Sequence, residues 1–461
     1  MQYFNAKSLK KNADMSTMIV RNGVGSMKNE SKNKVGEKIY GRRMEKKRLW
    51  EKAQECLISL YGEMPDIAIL NRFYSEKMQF EKDYSVLLWE LVAKIKHRGR
   101  EMGYCVSLGG TLGSSFVAYL LGATDTNPLP LHYTCQKCKR VEFVNEKLLP
   151  LDLVPKECQC GGKMIGDGYD IPYEMHIGVS ETPSAPLWID PDFIGDAEQI
   201  IRENMKSFRI FTLIDRESNP IKYAFLPFGK DGNICGEEDK SRIFAGLTVT
   251  PLATHKYAGL LAKECGVNFY SVLESLNEKI SADPQITKMF LSGKVNKIPY
   301  FRLPALNMSR VIMSAKPKNS YDLLKVFGAV HGTNTWKNNA AGLIETGVCS
   351  IDEIPTHRDD IFMMLRDRLA NEGYSDFGIA FEITNKMRRG SFGKSGIDPR
   401  SHAIMEYLSP TEWFISYAEK IHYMFPKAHS AQNLIYAYAF MWYRVNFPDV
   451  YDRVMKEVLN V

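Results

Sequence analysis

Between Lys46 and Met102 apolar residues recur at three- and four-residue steps: Leu49, Ala53, Cys56, Leu57 and Leu60, then Leu87, Leu88, Leu91, Val92 and Ile95. That period marks helices with one buried face. A short apolar piece, Tyr104-Cys105-Val106, then leads through a Gly-rich turn into a second apolar helical run over 115–121. Residues 125–186 are rich in Pro, Gly and Cys and are expected to form loops and short strands. Strand-like pieces follow at 186–189, 210–214 and 223–225. After Leu252 the pattern is mostly helical to the end, with turn signals near 317–319, 332–334 and 390–396. No internal repeat is visible. The expected class is α+β in front and α behind.

Charge sharpens this picture at one end only. The 461 residues carry a net +6, but residues 1–50 hold 13 Lys/Arg against 4 Asp/Glu, a net +9, leaving 47 against 50 and a net −3 elsewhere. The excess gathers at Lys32, Lys34, Lys38, Arg42, Arg43, Lys46, Lys47 and Arg48. Such an arm can neutralise phosphates and steer toward nucleic acid; a solvated, partly disordered tail accounts for the same composition. No secretory signal is apparent, and the most apolar late stretch, 433–442, is too short to span a bilayer. A cytoplasmic protein without a membrane segment is expected.

The first motif with chemistry in it is Gly109-Gly110-Thr111-Leu112-Gly113-Ser114-Ser115-Phe116, between an expected strand and a helix. Glycines let backbone approach an anion, and free N–H groups with the hydroxyls of Ser114 and Ser115 can bind phosphate oxygens. A plain strand–helix turn with a Ser cap fits equally. The second is Cys135-x2-Cys138 with Cys158-x-Cys160 and Gly161-Gly162, a spacing able to close a tetrahedral zinc site of structural type. Four reduced cysteines in a metal-free loop fit the same spacing. The other five cysteines are scattered, which argues against a disulfide framework.

The run 110–121, then Asn127-Pro128-Leu129-Pro130-Leu131-His132-Tyr133, then Cys-x-x-Cys, resembles the palm of PolC-type DNA polymerase III α subunits. So do three later stretches: His331-Gly332-Thr333-Asn334-Thr335-Trp336, Arg358-Asp359-Asp360-Ile361 and Tyr423-Met424-Phe425-Pro426-Lys427-Ala428-His429. The resemblance covers roughly residues 55–450 with internal deletions. It implies a palm, a small mixed sheet carrying a zinc knuckle, followed by helical fingers. The expected division is a basic arm over 1–48, a palm-like region over 49–260 with the knuckle at 132–163, and a fingers-like region over 261–461. Gly110, Gly113, Ser114 and Ser115 are then expected to cradle the nucleotide triphosphate, with His331, Arg358, Lys427 and His429 near nucleotide or template phosphates. Lys256, Arg388, Arg389 and Lys394 are expected along DNA, the last three with Lys386 on a flexible basic loop around Gly390 and Gly393. Packing of the helical region explains the finger motifs as well.

The resemblance also shows departures. The family places an arginine where this chain has Gly109. Its first two metal-holding aspartates, which bind the paired Mg²⁺ ions, fall on Trp188 and Asp190 in Leu187-Trp188-Ile189-Asp190-Pro191-Asp192-Phe193. Asp192 restores an Asp-x-Asp pair with Asp190 only by a slipped register, across a proline that ends ordinary strand pairing. A Pro-containing turn with two aspartates is the plainer reading. The third family carboxylate and a Gly-Gln-His-Pro-Gly-Gly loop have no counterpart, Asp215 being the sole candidate replacement and out of chain order. The family's exonuclease, phosphoesterase-like, oligonucleotide-binding and clamp-binding parts are not found. The leading expectation is a degenerate polymerase relative that binds DNA, nucleotide or a replisome partner. An active minimal or split polymerase, using Mg²⁺ and a carboxylate from elsewhere, and a purely protein-binding antagonist are the alternatives.

Overall fold

The computed structural model describes residues 32–80, 85–177, 184–204, 209–214, 220–225, 246–303, 306–375, 377–408 and 411–459. Residues 1–31 of the basic arm and Asp215 lie outside them. The chain enters through a 30-residue helix, Lys32–Tyr61, followed by helices Ile67–Phe80 and Ser85–Glu101. Their apolar stripes converge on one core with Leu49, Phe73, Trp89 and Val92 inside.

Five strands form the main sheet in the order β1-β6-β9-β8-β7. They are β1 Val106–Leu108, β6 Ser184–Ile189, β7 Arg209–Ile214, β8 Pro220–Phe225 and β9 Gly246–Pro251. β6 runs antiparallel to β1 and parallel to β9; the β9–β8 and β8–β7 pairs are antiparallel. Side chains alternate across a strand. Val106, Leu108, Leu187, Ile189, Leu247 and Val249 therefore share the back face, buried in the same core as helices Ser85–Glu101 and Ile194–Glu203. A second sheet, ordered β3-β2-β5-β4, carries the cysteines: β2 His132–Cys135, β3 Val141–Phe143, β4 Lys156–Glu157 and β5 Lys163–Asp167. The α+β class, with small sheets in front and helices behind, is the observed one.

Helix Lys427–Asn446 is the axis of the rear half. It is buried on almost every side, which explains why the apolar run at 433–442 carries so little exposed polarity. No helix among the described residues is long and apolar enough to cross a membrane. The large core around this helix also takes in Leu149, Leu151, Tyr169, Ile171 and Met175 from the front half, so the two halves are fused through packing.

A buried ionic cluster adds to that union. Lys96 Nζ lies 2.8 Å from Asp125 Oδ1, and Arg100 contacts the same carboxylate. Gln432 Nε2 donates to Asp125 Oδ2 at 2.8 Å and Tyr436 Oη at 3.1 Å. Burial brings the Lys96 ammonium down to about 8. Burial alone would raise Asp125, but Lys96 and Arg100 outweigh it and hold the carboxyl below its usual range. Removing one member of such a cluster leaves the others charged and unmatched. Asp125→Asn should lower unfolding stability by roughly 3–5 kcal/mol, read as a fall in the urea midpoint.

Candidate active site

The front face of the sheet is where the resemblance places catalytic carboxylates. Ser107, Trp188 and Thr250 are aligned across β1, β6 and β9, so they point the same way. None is an acid. Trp188 lies over Gly109: a Cβ built on that glycine would meet two indole carbons at 2.1 Å. A residue with any side chain at 109 and the indole in this position exclude one another. Position 109, where the resemblance implies an arginine, thus holds a glycine covered by the indole from position 188, where it implies an aspartate.

On its other side Trp188 stacks on His429, with ring centroids 4.8 Å apart and planes at 29°. The column continues through Phe425 at 4.6 Å, His331 at 5.0 Å and Phe327 at 4.1 Å. Burial lowers His331 to about 3, with His429 and His357 adding to the effect, and lowers His429 to about 3 as well. Both rings are therefore neutral near pH 7, and a neutral imidazole does not offset phosphate charge. His255, bonded through Nε2 to Ser107 Oγ at 2.7 Å, is buried and lowered to about 3 in the same way.

Asp190 follows β6. Its Oδ1 accepts from the Asp192 amide at 2.9 Å, capping the short turn Pro191–Phe193. Burial first, and Asp192 second, raise the Asp190 carboxyl above its usual range. Asp192 is turned outward, its Oδ2 2.9 Å from Lys256 Nζ. The pair is thus a turn cap and a surface ion pair. Among the described residues, the one group of three or more His, Cys, Asp or Glu able to hold an ion is the cysteine cluster.

The glycine-serine loop is occupied from within. Gly110 takes φ +67°, and Gly113 packs against Ala428 at the start of the axial helix. Ser115 caps helix Phe116–Leu120 by accepting from the Ala118 amide. The carboxylate of Glu76 receives Ser115 Oγ at 2.8 Å and the amides of Phe116 and Val117 at 2.9 and 3.1 Å. Arg72 closes this arrangement, binding Glu76 at 2.5 Å, the Ser114 carbonyl at 2.6 Å and the Ile171 carbonyl at 2.9 Å. A fully buried side-chain carboxylate thus takes up the Ser115 hydroxyl and two amides of the motif, while Ser114 Oγ is left without a hydrogen-bond partner. Glu76 escaped the motif reading, although it stands in register with Ile69, Phe73 and Phe80 on a buried helical stripe, where an acid signals a partner.

The finger cations also face inward. Lys427 Nζ donates to the Asp170 carbonyl at 2.9 Å while its amide binds Asp359 Oδ2 at 2.8 Å. Arg358 Nη2 donates to the Met175 carbonyl at 3.0 Å. Both side chains are buried. The expected flexible loop at 386–394 is instead the end of helix Gly378–Arg388 and a helical turn, Ser391–Ser395. Gly390, at φ +66°, meets the His422 backbone so closely that a Cβ would lie 2.2 Å from its carbonyl oxygen. Lys386 is paired with Glu382 and Asp398, Arg388 Nε donates to Asn385, and Lys394 Nζ donates to the Arg389 carbonyl.

The four cysteines do converge. The sulfurs of Cys135, Cys138, Cys158 and Cys160 all lie within 4.8 Å of one another, with Cys135–Cys160 at 3.5 Å and Cys138–Cys158 at 3.7 Å. Tetrahedral thiolates about 2.3 Å from an ion stand about 3.8 Å apart. The Cys138 amide donates to Cys135 Sγ at 3.4 Å. A Cβ on Gly162 would reach 2.8 Å from Cys135 Sγ, so that glycine keeps the cradle clear. The group can hold a metal ion, and with four protein ligands it leaves no open position for catalysis.

The Trp188–Gly109 contact has a direct test. Gly109→Ala should destabilise the chain by at least about 2 kcal/mol by overpacking. Combined with Trp188→Ala, the same change should cost markedly less than the sum of the two, as measured by a double-mutant unfolding cycle.

No family model matches the chain. It is 26% identical over 482 residues to the DNA polymerase III PolC-type of Lactococcus lactis, a match covering 87% of this chain and 28% of that protein. The protein of the same name from Clostridium perfringens is 25% identical over 470 residues, covering 85% and 31%. That of Thermotoga maritima is 24% identical over 463 residues, covering 84% and 33%. The chain therefore spans about a third of the length of these curated relatives. Across most of its own length the chain is similar to DNA polymerase III PolC-type proteins.

Proposed function

We propose that the chain is a PolC-type relative that has given up nucleotide transfer and acts by binding DNA within a replication assembly. The observation that carries this reading is the indole of Trp188, seated where an arginine at 109 and an aspartate at 188 would stand. Phosphoryl transfer by this class of chemistry relies on carboxylates holding two divalent ions that offset charge on the attacking and leaving oxygens. Here Asp190 caps a turn and Asp192 pairs with Lys256. The inward-facing Lys427 and Arg358, and the motif donors taken up by Glu76, support the same reading, since groups suited to triphosphate are engaged with the protein itself.

Primer extension with Mg²⁺ or Mn²⁺ tests the reading. The expected result is no incorporation above background. Incorporation that Asp190→Asn abolishes would overturn it in favour of an active minimal or split polymerase.

We assign the four-cysteine group to structural zinc. Such an ion would tie the turn after β2 to the turn before β5 and so brace a four-stranded sheet that has almost no apolar core of its own, Met164 aside. One zinc per chain is expected by elemental analysis. Its removal by a strong chelator should lower the thermal midpoint, and Cys158→Ser should reproduce that loss. An unchanged midpoint after complete removal would contradict the assignment.

A further inference from the structure

We infer that the chain pairs with a second copy of itself through the outer face of helix Ile67–Phe80, the two helices lying antiparallel about a two-fold axis. The inference goes beyond the binding reading above and stands whether or not the chain binds DNA.

Helix Ile67–Phe80 has two unlike faces. Ile69, Phe73, Glu76 and Phe80 are turned into the core. On the opposite side Ile67, Asn71, Tyr74 and Met78 recur at three- and four-residue steps and are all exposed. Ile67 is 68% exposed, Tyr74 47% and Met78 68%; Met64, just before the helix, is 91% exposed. Every exposed position of this helix, Ala68 and Gln79 included, is uncharged, in a chain of which 25% of the residues are charged. A surface helix ordinarily carries its charge on the side away from the core. Contiguous apolar patches left bare on a folded protein mark contacts with other molecules.

The spacing of four residues identifies the occupant. Ile67 and Met78 stand eleven residues apart, and so do Asp66 and Lys77. Eleven residues are close to three helical turns. The apolar pair therefore marks the two ends of the stripe, and the charged pair the two ends of its flank. A two-fold axis midway between Ile67 and Met78 reverses the helix. Ile67 then meets Met78 of the second copy, Asn71 meets Tyr74, and Asp66 meets Lys77, each contact occurring twice. Acid faces base at both ends and no charge faces its like along the middle, which is what a self-matching surface requires. Asp66 is exposed and caps the helix through Oδ1, which accepts from the Ala68 amide at 2.8 Å. Lys77 lies in the last turn and is partly exposed. Neither is ion-paired within the chain among the described residues. Glu63, also exposed, adds a second acid to the Asp66 end. A partner of uniform charge would match one end of this face and oppose the other.

Size sets the strength of the contact. The stripe from Ile67 to Met78 is about 16 Å long on a helix about 10 Å across. Two such strips bury less than the roughly 1,600 Å² of a standard interface. The dimer is therefore weak and fills as concentration rises.

Sedimentation velocity of the full chain, from about 1 to 100 μM and at low and high salt, tests the inference. The expected result is a shift from monomer to dimer as concentration rises, reduced by salt. Met78→Glu should weaken the dimer by at least about tenfold, because the two-fold repeats the substitution. Lys77→Glu sets acid against acid at both ends and should weaken it by about threefold; for that variant added salt should strengthen association, reversing the sign of the salt response. Both positions lie outside the core, so an unchanged thermal midpoint is the folding control. A monomer at every concentration would overturn the inference. A dimer equally strong in Met78→Glu would place the contact on another face and overturn it too. An unreversed salt response in Lys77→Glu would overturn the antiparallel pairing.

Discussion

The indole of Trp188 sits at the middle of the front face, and much of the surrounding geometry is conditional on it. Because β1, β6 and β9 are held in register, the ring cannot leave this face without moving the strand that carries it. It takes the space of any side chain at 109. It also offers His429 a flat partner, which draws the start of helix Lys427–Asn446 against the sheet. Stacked pairs of this kind contribute about 0.5–1.5 kcal/mol beyond the area they bury, and here they form a column reaching Phe327. Within that column two histidines lose their positive charge through burial, so aromatic packing stands where polar recognition would need cations.

The polar seats around the column follow the same logic of internal satisfaction. A buried donor or acceptor without a partner is costly, and most of these groups find theirs within the protein, Ser114 Oγ, His176 Nε2 and Asp359 Oδ1 being exceptions. The Glu76 carboxylate meets the donors at Ser115–Val117; the carbonyls of Asp170 and Met175 meet Lys427 and Arg358. The Lys427 and Arg358 contacts join the sheet-bearing front to the helical rear, so these cations hold the halves together.

Helices such as Ser85–Glu101 were legible because their apolar period is long and regular, and the cysteine cluster because thiol spacing survives any local folding. β6, β7 and β8 were visible as apolar pieces, but β9, Gly246–Pro251, was not: Leu247 and Val249 do alternate with Thr248 and Thr250, but over only four residues between a glycine and a proline. The stretch from Gly390 to Gly396 looks like a loop in sequence, yet its glycines serve close backbone approach between helices, a demand set by His422 some thirty residues later. At the candidate site, residue identities were readable and their surroundings were not. Nothing local distinguishes a lysine aimed at phosphate from Lys427 aimed at a carbonyl 257 positions away in the chain. The absence of Asp at 188 and Arg at 109 could be seen from sequence; that one absence fills the other required the packing.

Divalent-ion binding at the front face tests the central claim most directly. The chain as purified, without chelator treatment, would be titrated with Mn²⁺ and bound ion followed by electron paramagnetic resonance. The account predicts no saturable site up to millimolar ion that Asp190→Asn removes. One or two saturable sites, lost on that substitution, would contradict it.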